Sequence, residues 1–353
     1  MARRARPVLG RRGVLPAAVA AASALLLCAC DAGSVDLILP TPTPTHAARP
    51  VADTAPVGIA FAPLRGTPAD AAALRHPSLA VKIDNHWDAR PQIALNRTDL
   101  VYEELVEGGL TRYVAVWHSD VPDEVGPVRS VRPMDPLIAA PLGGIIAYSG
   151  GQQYFVDLMH ATPLLNLVGD EDDGTYFDRA DDRQIPHDMV FAAAAAVAAN
   201  AGLAPPPAQF AYGTADPLAA PALAATPTSR IELVFSETSS PSWEWDPTTS
   251  AWLRSQEGTP DLEASGDRIR ATNVVTLRVA IEWPYEEVPL TALTGTGEAW
   301  VSAAGRTAHG TWTKADADAT ITLTADDGST LRLAPGNAWI ELVPNEGSAA
   351  FAP

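Results

Sequence analysis

The stretch from Leu79 to Asp135 sets most of what this chain can fold into. Short apolar runs alternate there with charged turns. LAVKI ends in Asp84-Asn85, and LVYEELVE runs into Gly108-Gly109. TRYVAVWH leads to a connection whose path is fixed by Pro122, Gly126, Pro127 and Pro133. Runs this short, closed by turn residues, suit strands rather than long helices. Leu79–Ile83 is expected as a buried strand. Asp84 and Asn85 then sit at its carboxyl end, where polar residues either face a ligand crevice or stop the strand in an Asx turn.

Asp99–Glu107 and Leu110–His118 read as two further strands. A two-residue Gly-Gly loop between them favours a type I′ or II′ hairpin. That register sets Glu107 opposite Leu110 and Leu105 opposite Arg112. Arg112 then shares a face with Glu103 and Glu107, and Glu104 faces the other side. Carboxylates around one arginine are commonly a structural ion-pair cluster; the alternative is a ligand or metal site using the same acids. Arg129 and Arg132 follow Gly126-Pro127, and Arg90 follows Trp87. Guanidinium groups suit bidentate capture of phosphate or carboxylate, and they equally suit pairing with Glu103, Glu104 or Glu107. The candidate ligand-binding residues are therefore Asp84, Asn85, Arg90, Glu103, Glu104, Glu107, Arg112, Arg129, Arg132 and His187. They are expected to converge, at least in part, on one crevice.

Further along, short helices are expected at Pro68–Arg75 and Asp135–Leu142, a strand at Ile145–Ser149 and a helix at Gln152–His160. Strand, Ser149-Gly150-Gly151 and helix could present backbone N–H groups to an anion. SGGQ lacks the G-x-S-x-G elbow, which argues against a serine hydrolase. Asp170–Asp182 is acidic but lacks EF-hand ligand spacing. Pro186-His187-Asp188 precedes an Ala-rich segment, Met189–Ala201, read as a helix with Asp188 as its N-cap.

Residues 203–229 are rich in Pro and Ala and read as an interdomain linker. Strand-like runs separated by turns then recur from Ile231 to Leu342, the spacing of a small antiparallel sandwich or barrel. Trp243, Trp245, Trp252, Trp300, Trp312 and Trp339 all fall there; core filling is the commoner use of such residues and a carbohydrate platform the other. The fold class expected is α+β. A mixed α/β domain occupies 57–202, a mostly antiparallel β domain occupies 230–344, and 345–353 is a tail.

The amino terminus carries a different message. Arg3, Arg4, Arg6, Arg11 and Arg12 precede an apolar run, Val14–Leu27, too short for a comfortable membrane span. Leu27-Cys28-Ala29-Cys30 reads as a lipobox, so 1–30 is expected to be a lipoprotein signal peptide. Cys30 is the residue expected to carry the lipid thioether. Arg11-Arg12 also resembles a twin-arginine export signal. TPTPT and its neighbours make 31–56 a Pro-rich stalk. Cys28 and Cys30 are the chain's two cysteines, so the body relies on no disulfide. Its net charge of −18 becomes more negative once the five leader arginines are removed, which argues against nucleic-acid binding.

The segments VKIDN, ARPQ, LNRTDLVYEELVEGGLTRY, VGPVRSVR, YSGG and Pro186-His187 resemble the YerB-like bacterial lipoproteins. The resemblance runs from about Val57 to Pro344. It implies an envelope lipoprotein of two parts, and it brings no established activity or catalytic residues. No nucleophile–base pair, metal-ligand spacing or nucleotide fingerprint is found, and no metal or cofactor is expected. The sequence therefore favours a non-catalytic module, anchored outside the cytoplasmic membrane through Cys30, that binds a cell-wall component or an envelope protein. The alternative is an envelope enzyme acting on a phosphorylated or glycosidic substrate. In that reading Glu103, Glu104 or Glu107 serves as base or metal ligand, and Arg129 and Arg132 hold the anion.

The lipobox yields a direct test. Cys30→Ala should release the protein or leave its precursor uncleaved. Membrane fractionation that still returned a mature, detergent-dependent protein would remove Cys30 as the anchor.

Overall fold

The computed structural model describes residues Gly58–Pro353, so the expected leader and stalk lie outside the described residues. Its centre is three strands: β1 (Leu79–Asp84), β2 (Leu100–Leu105) and β3 (Thr111–Trp117). All three are buried along their whole length. Strands covered on both faces carry near-continuous apolar runs, which explains their composition. β3 lies between β1 and β2, antiparallel to both. After α1 (Asp135–Ala139), β4 (Ile145–Tyr148) joins β1 in parallel. α2 (Gln153–His160) then crosses over to β5 (Leu165–Val168), parallel to β4. The last α-helix among the described residues is α3 (Ala193–Ala199).

The second half adds β6 (Arg230–Val234), β7 (Pro241–Asp246), β8 (Ala251–Gln256), β9 (Asn273–Tyr285), β10 (Gly295–Ala303), β11 (Arg306–Lys314), β12 (Ala338–Pro344) and β13 (Ser348–Ala352). β12 runs parallel to β9 on one side and to β2 on the other, with Ala338–Glu341 opposite Leu100–Glu103. The two expected parts therefore meet edge to edge in one sheet, ordered β11-β10-β9-β12-β2-β3-β1-β4-β5. β8, β7, β6 and β13 form a second sheet. It packs Ile231, Trp243 and Trp252 against Val81, Val101, Tyr113 and Trp339 on one face of the large sheet. On the other face, Ile138 of α1 and Phe155 and Met159 of α2 cover Ala80, Tyr102, Val114 and Ile146. The helices are few and short, and the sheets are mixed or antiparallel.

Several expectations change. Pro68–Asp70 pairs with Ile59–Phe61 as a small hairpin and is not helical. Met189–Phe191 is a strand paired with Phe177–Arg179; Val190 and Phe191 bury themselves, as β-favouring residues do. The helix begins only at Ala193, with no side-chain cap, and Asp188 instead pairs with Arg179 at 2.8 Å. The Pro/Ala-rich segment is packed: Phe210 and Leu218 are buried, and Thr226–Pro227 pairs with β11. The expected tail is β13, paired with β6. Trp243, Trp252, Trp312 and Trp339 are buried, as core filling requires.

The hairpin register also differs. Leu105 lies opposite Thr111 and Glu104 opposite Arg112. The loop holds three residues, Glu107–Gly109, closed by Val106 N–H donating to Leu110 O at 2.8 Å. Gly108 and Gly109 both take left-handed φ, and Ser236 and Thr238 donate to the Gly109 carbonyl and hold the tip in place. One added loop residue shifts the register by one, which moves every partner to the opposite face.

A buried cation joins the second sheet to the first. Arg254 on β8 donates to Glu103 Oε2 at 2.6 Å and to Asp261. Its guanidinium lies 5.0–5.8 Å from the ring centroids of Trp339, Tyr113 and Trp243. Glu341 of β12 stands beside Glu103 in register and accepts from Trp243 Nε1 at 2.8 Å. Burial, then the Glu103 charge, push the Glu341 carboxyl well above its usual range. A carboxyl raised on folding stabilises below its unfolded pKa, and that stability is lost as pH rises, by at most about 1.4 kcal/mol per pH unit. Glu341→Gln should keep the tryptophan bond and remove this loss. Urea unfolding at pH 5 and pH 8 should show a smaller decline for the variant than for the wild type; an equal decline would place an ionised Glu341 in the native state.

Candidate functional site

The site begins with strand alternation. Glu104, Arg112 and Asp84 form one cross-strand row over β2, β3 and β1, so their side chains share the helix-covered face. Lys82 lies two residues back on that face and is wholly buried. Its ammonium donates to Glu104 and, at 2.7 Å, to Asp135 at the start of α1. Asp135 also accepts from Arg132 N–H at 2.6 Å, which ties the arginine loop to α1. Burial lowers the Lys82 pKa to about 8, with Asp135 opposing the shift.

Towards the open end of this row stand three guanidinium groups. Arg132 is engaged bidentately by Glu107, at 2.6 and 2.5 Å. Arg112 donates to the Ser130 carbonyl at 2.8 Å and has no other hydrogen-bond partner among the described residues. Burial, then the charge of Arg132, lower the Arg112 pKa to about 10. Arg129 lies 3.2 Å from Asp84 Oδ2, yet its buried Nε lacks a well-aligned hydrogen bond. Burial alone would raise the Asp84 carboxyl. Arg112, the His187 hydrogen bond and Arg129 outweigh it and hold this group below the usual carboxylate range.

Asp84 also anchors a stack of rings. His187 Nδ1 lies 2.7 Å from Asp84 Oδ2. An ionised carboxylate only accepts, so this nitrogen carries the donated proton. The His86 ring stacks on His187 with centroids 4.6 Å apart and planes at 10°. Burial, then His187, lower the His86 pKa. Trp87, largely exposed, contacts His86 from the next position. Beside this stack, Asp88, Arg90, Asp182, Arg183 and Gln184 line a cleft of about 400 Å³.

The expected residues thus divide between the two faces. Asp84, Arg112, Arg129, Arg132, Glu107 and His187 gather at the open end of the helix-covered face. Glu104 shares that face but is sealed beneath it with Lys82. Glu103 lies on the opposite face with Arg254. Asn85 reaches that side too, donating to Thr111 Oγ1 at 2.7 Å. Arg90 clamps Asn85 through its carbonyl oxygens and bridges to Glu257 at 2.9 Å in the second half of the chain. Six of the ten therefore lie together. At the Ser149-Gly150-Gly151 turn an acid already lies against the first glycine, where a Cβ would meet Asp170 Oδ2 at 1.9 Å. The sequence reading overlooked Lys82, Asp135 and His86. Lys82 had a signal: it is a charge in the middle of an apolar strand.

Comparison with known proteins agrees with this architecture. The chain matches "Protein of unknown function (DUF3048) N-terminal domain" over residues 64–204 and the DUF3048 C-terminal domain over 231–340. It is 33% identical over 126 residues to "Putative lipoprotein YerB" of Bacillus subtilis (strain 168), a match spanning 36% of this chain and 38% of that relative. The crystal structure of the YerB protein from Bacillus subtilis superposes with a TM-score of 0.72 at 22% identity, covering 82% of this chain and 99% of that one. At that identity the likeness concerns the fold.

Lys82→Met would leave Glu104 and Asp135 buried without their cation. Breaking a buried pair from one side costs about 3–5 kcal/mol. Urea unfolding should show a loss of that size, and a loss under about 1 kcal/mol would mean that the pair contributes little to the fold.

Proposed function

We propose a non-catalytic binding role for a chain that belongs to the DUF3048 family. The guanidinium crevice at the carboxyl end of β1 takes an anionic group, carried by a cell-wall component or by an acidic face of an envelope protein. A lipid on Cys30 holds the body outside the cytoplasmic membrane. The lipoprotein description of the relative and the lipobox support that placement. No helix among the described residues is long and apolar enough to cross a membrane.

One observation carries the binding reading. Arg112 and Arg129 both lie beside Asp84 with little other internal pairing, while Arg132 is neutralised by Glu107. A carboxylate or phosphate satisfies guanidinium groups held in this way, because charge-assisted bonds are the stronger ones. The enzymatic alternative finds no free glutamate. Glu103 and Glu104 are sealed with their cations, and Glu107 is held by Arg132. No hydroxyl among the described residues is hydrogen-bonded to His187.

Arg129 is partly exposed, so its removal should spare the fold. Losing one charge-assisted contact of about 1.5–3 kcal/mol should weaken binding roughly tenfold to a hundredfold. Cosedimentation with purified cell-wall sacculi and capture from solubilised membranes should both be run on wild type and Arg129→Ala. The variant should lose whichever association the wild type shows, with its circular dichroism unchanged. Equal retention in both assays would overturn the anion reading.

A further inference from the structure

We infer that His86, Asp88 and His187 form a site for one divalent transition-metal ion, of the zinc class. These residues each bring one donor atom to within 4.8 Å of the others. They come from two loops, the turn after β1 and the segment before Met189, so no spacing in the sequence announces them. The inference stands apart from the anion-binding reading, and no guanidinium group is among its ligands.

The second observation is the partner of His187. A metal-binding imidazole usually donates its other N–H to a carboxylate, which fixes the tautomer and the ring direction and raises the basicity of the ligating nitrogen. His187 has this arrangement before any metal arrives. Nδ1 is held by Asp84 at 2.7 Å, Asp84 is 2% exposed, and Nε2 is left free to ligate. This acid is itself fixed, by the His86 backbone N–H at 3.1 Å and by Arg129. His187 is therefore the rigid ligand.

The other two donors are adjustable. His86 and Asp88 lie on a single 3-10 turn that includes exposed Trp87. His86 Nδ1 stands 3.5 Å from Asp88 Oδ2 and accepts from Asp88 N–H at 3.2 Å, a long bond that an ion would replace. Ligand atoms around a tetrahedral zinc lie roughly 3.3 Å apart, given bonds of about 2.0 Å. The donors need to close by up to about 1.5 Å. The parallel His86 and His187 rings must also tilt for one ion to lie in both ring planes, and the exposed turn can supply that motion. Two imidazoles and one carboxylate favour zinc, nickel or cobalt over calcium or magnesium, which prefer all-oxygen sets. Arg129 beside Asp84 opposes any cation bound by charge alone, which sharpens this preference. Three protein ligands leave one position open, and Asp88 also lines the cleft of about 400 Å³. A metal here would be reachable from that cleft.

The test is calorimetric titration of the full chain in detergent with zinc chloride. Cys28→Ser and Cys30→Ser are included so that thiolates do not take the ion. One zinc per chain is expected, with excess calcium failing to displace it. His86→Ala and His187→Ala should each abolish the event, and Asp84→Asn should weaken it tenfold to a hundredfold. His309→Ala, at a separate His–Asp contact on β11, should leave it unchanged. His86 and Asp88 lie on the surface turn, so His86→Ala and Asp88→Asn should stay folded by circular dichroism. Failure of wild type to take up zinc would overturn the inference, as would unchanged binding in a folded His86→Ala chain.

Discussion

Two adjacent glutamates on one central strand govern this structure. β2 carries Glu103 and Glu104 at its core, and successive residues of a strand point to opposite faces. Both faces are covered, so both carboxylates are taken out of water. An unpaired buried charge costs many kcal/mol, so each face must supply its own cation. Lys82 does so on the helix-covered face and Arg254 on the face under the second sheet. These two cations lie far apart in sequence and come from the two halves of the chain. The halves already share one sheet through the pairing of β12 with β2, and Arg254 ties the second sheet to that same strand.

The exposed chemistry follows from that burial. Lys82 satisfies two acids, Glu104 and Asp135, and Asp135 in turn holds the backbone of Arg132. The loop that carries Arg129 and Arg132 is thus fastened to the interior through α1. Its guanidinium groups can remain close together without collapsing onto the glutamates below them. Asp84, at the end of the same row, faces two kinds of neighbour, the arginines and His187. One well-fixed carboxylate therefore sets the geometry of the arginine crevice and of the histidine stack together.

Much of the strand content was legible because apolar runs bounded by turns state it directly. β1, β2, β3, β4 and α2 fall close to where the sequence places them. What failed depended on neighbours distant in the chain. The Gly-Gly tip could take a two- or three-residue loop, and the clamp from Ser236 and Thr238 belongs to the tertiary structure. β13 hides because SAAFA is too bland to signal a strand. Six of the ten candidate residues gather in one place because they share a strand end or the loop beside it. Glu103 departs from them for the same periodic reason that keeps Glu104 on their side. His86 was missed since its partner lies a hundred residues away.

The two buried ion networks also explain why the hairpin tolerates no other register. A two-residue loop would shift β3 by one against β2. Arg112 would then leave Glu104's row and enter the face that already holds Arg254, while Tyr113 would turn from Trp339 and Trp243 towards α1. Arg112 would meet a second cation in a dry interior, and Asp84 would lose the guanidinium that most lowers its pKa. Apolar residues alone discriminate weakly between these registers, since both faces of β3 are apolar: Val114 and Val116 on one, Tyr113, Ala115 and Trp117 on the other. Charges discriminate strongly, because each misplaced one is buried without its partner. In this fold the buried salt bridges act on specificity: they select the one pairing of β2 with β3 that also sets Arg112 on the same face as Glu104 and Asp84.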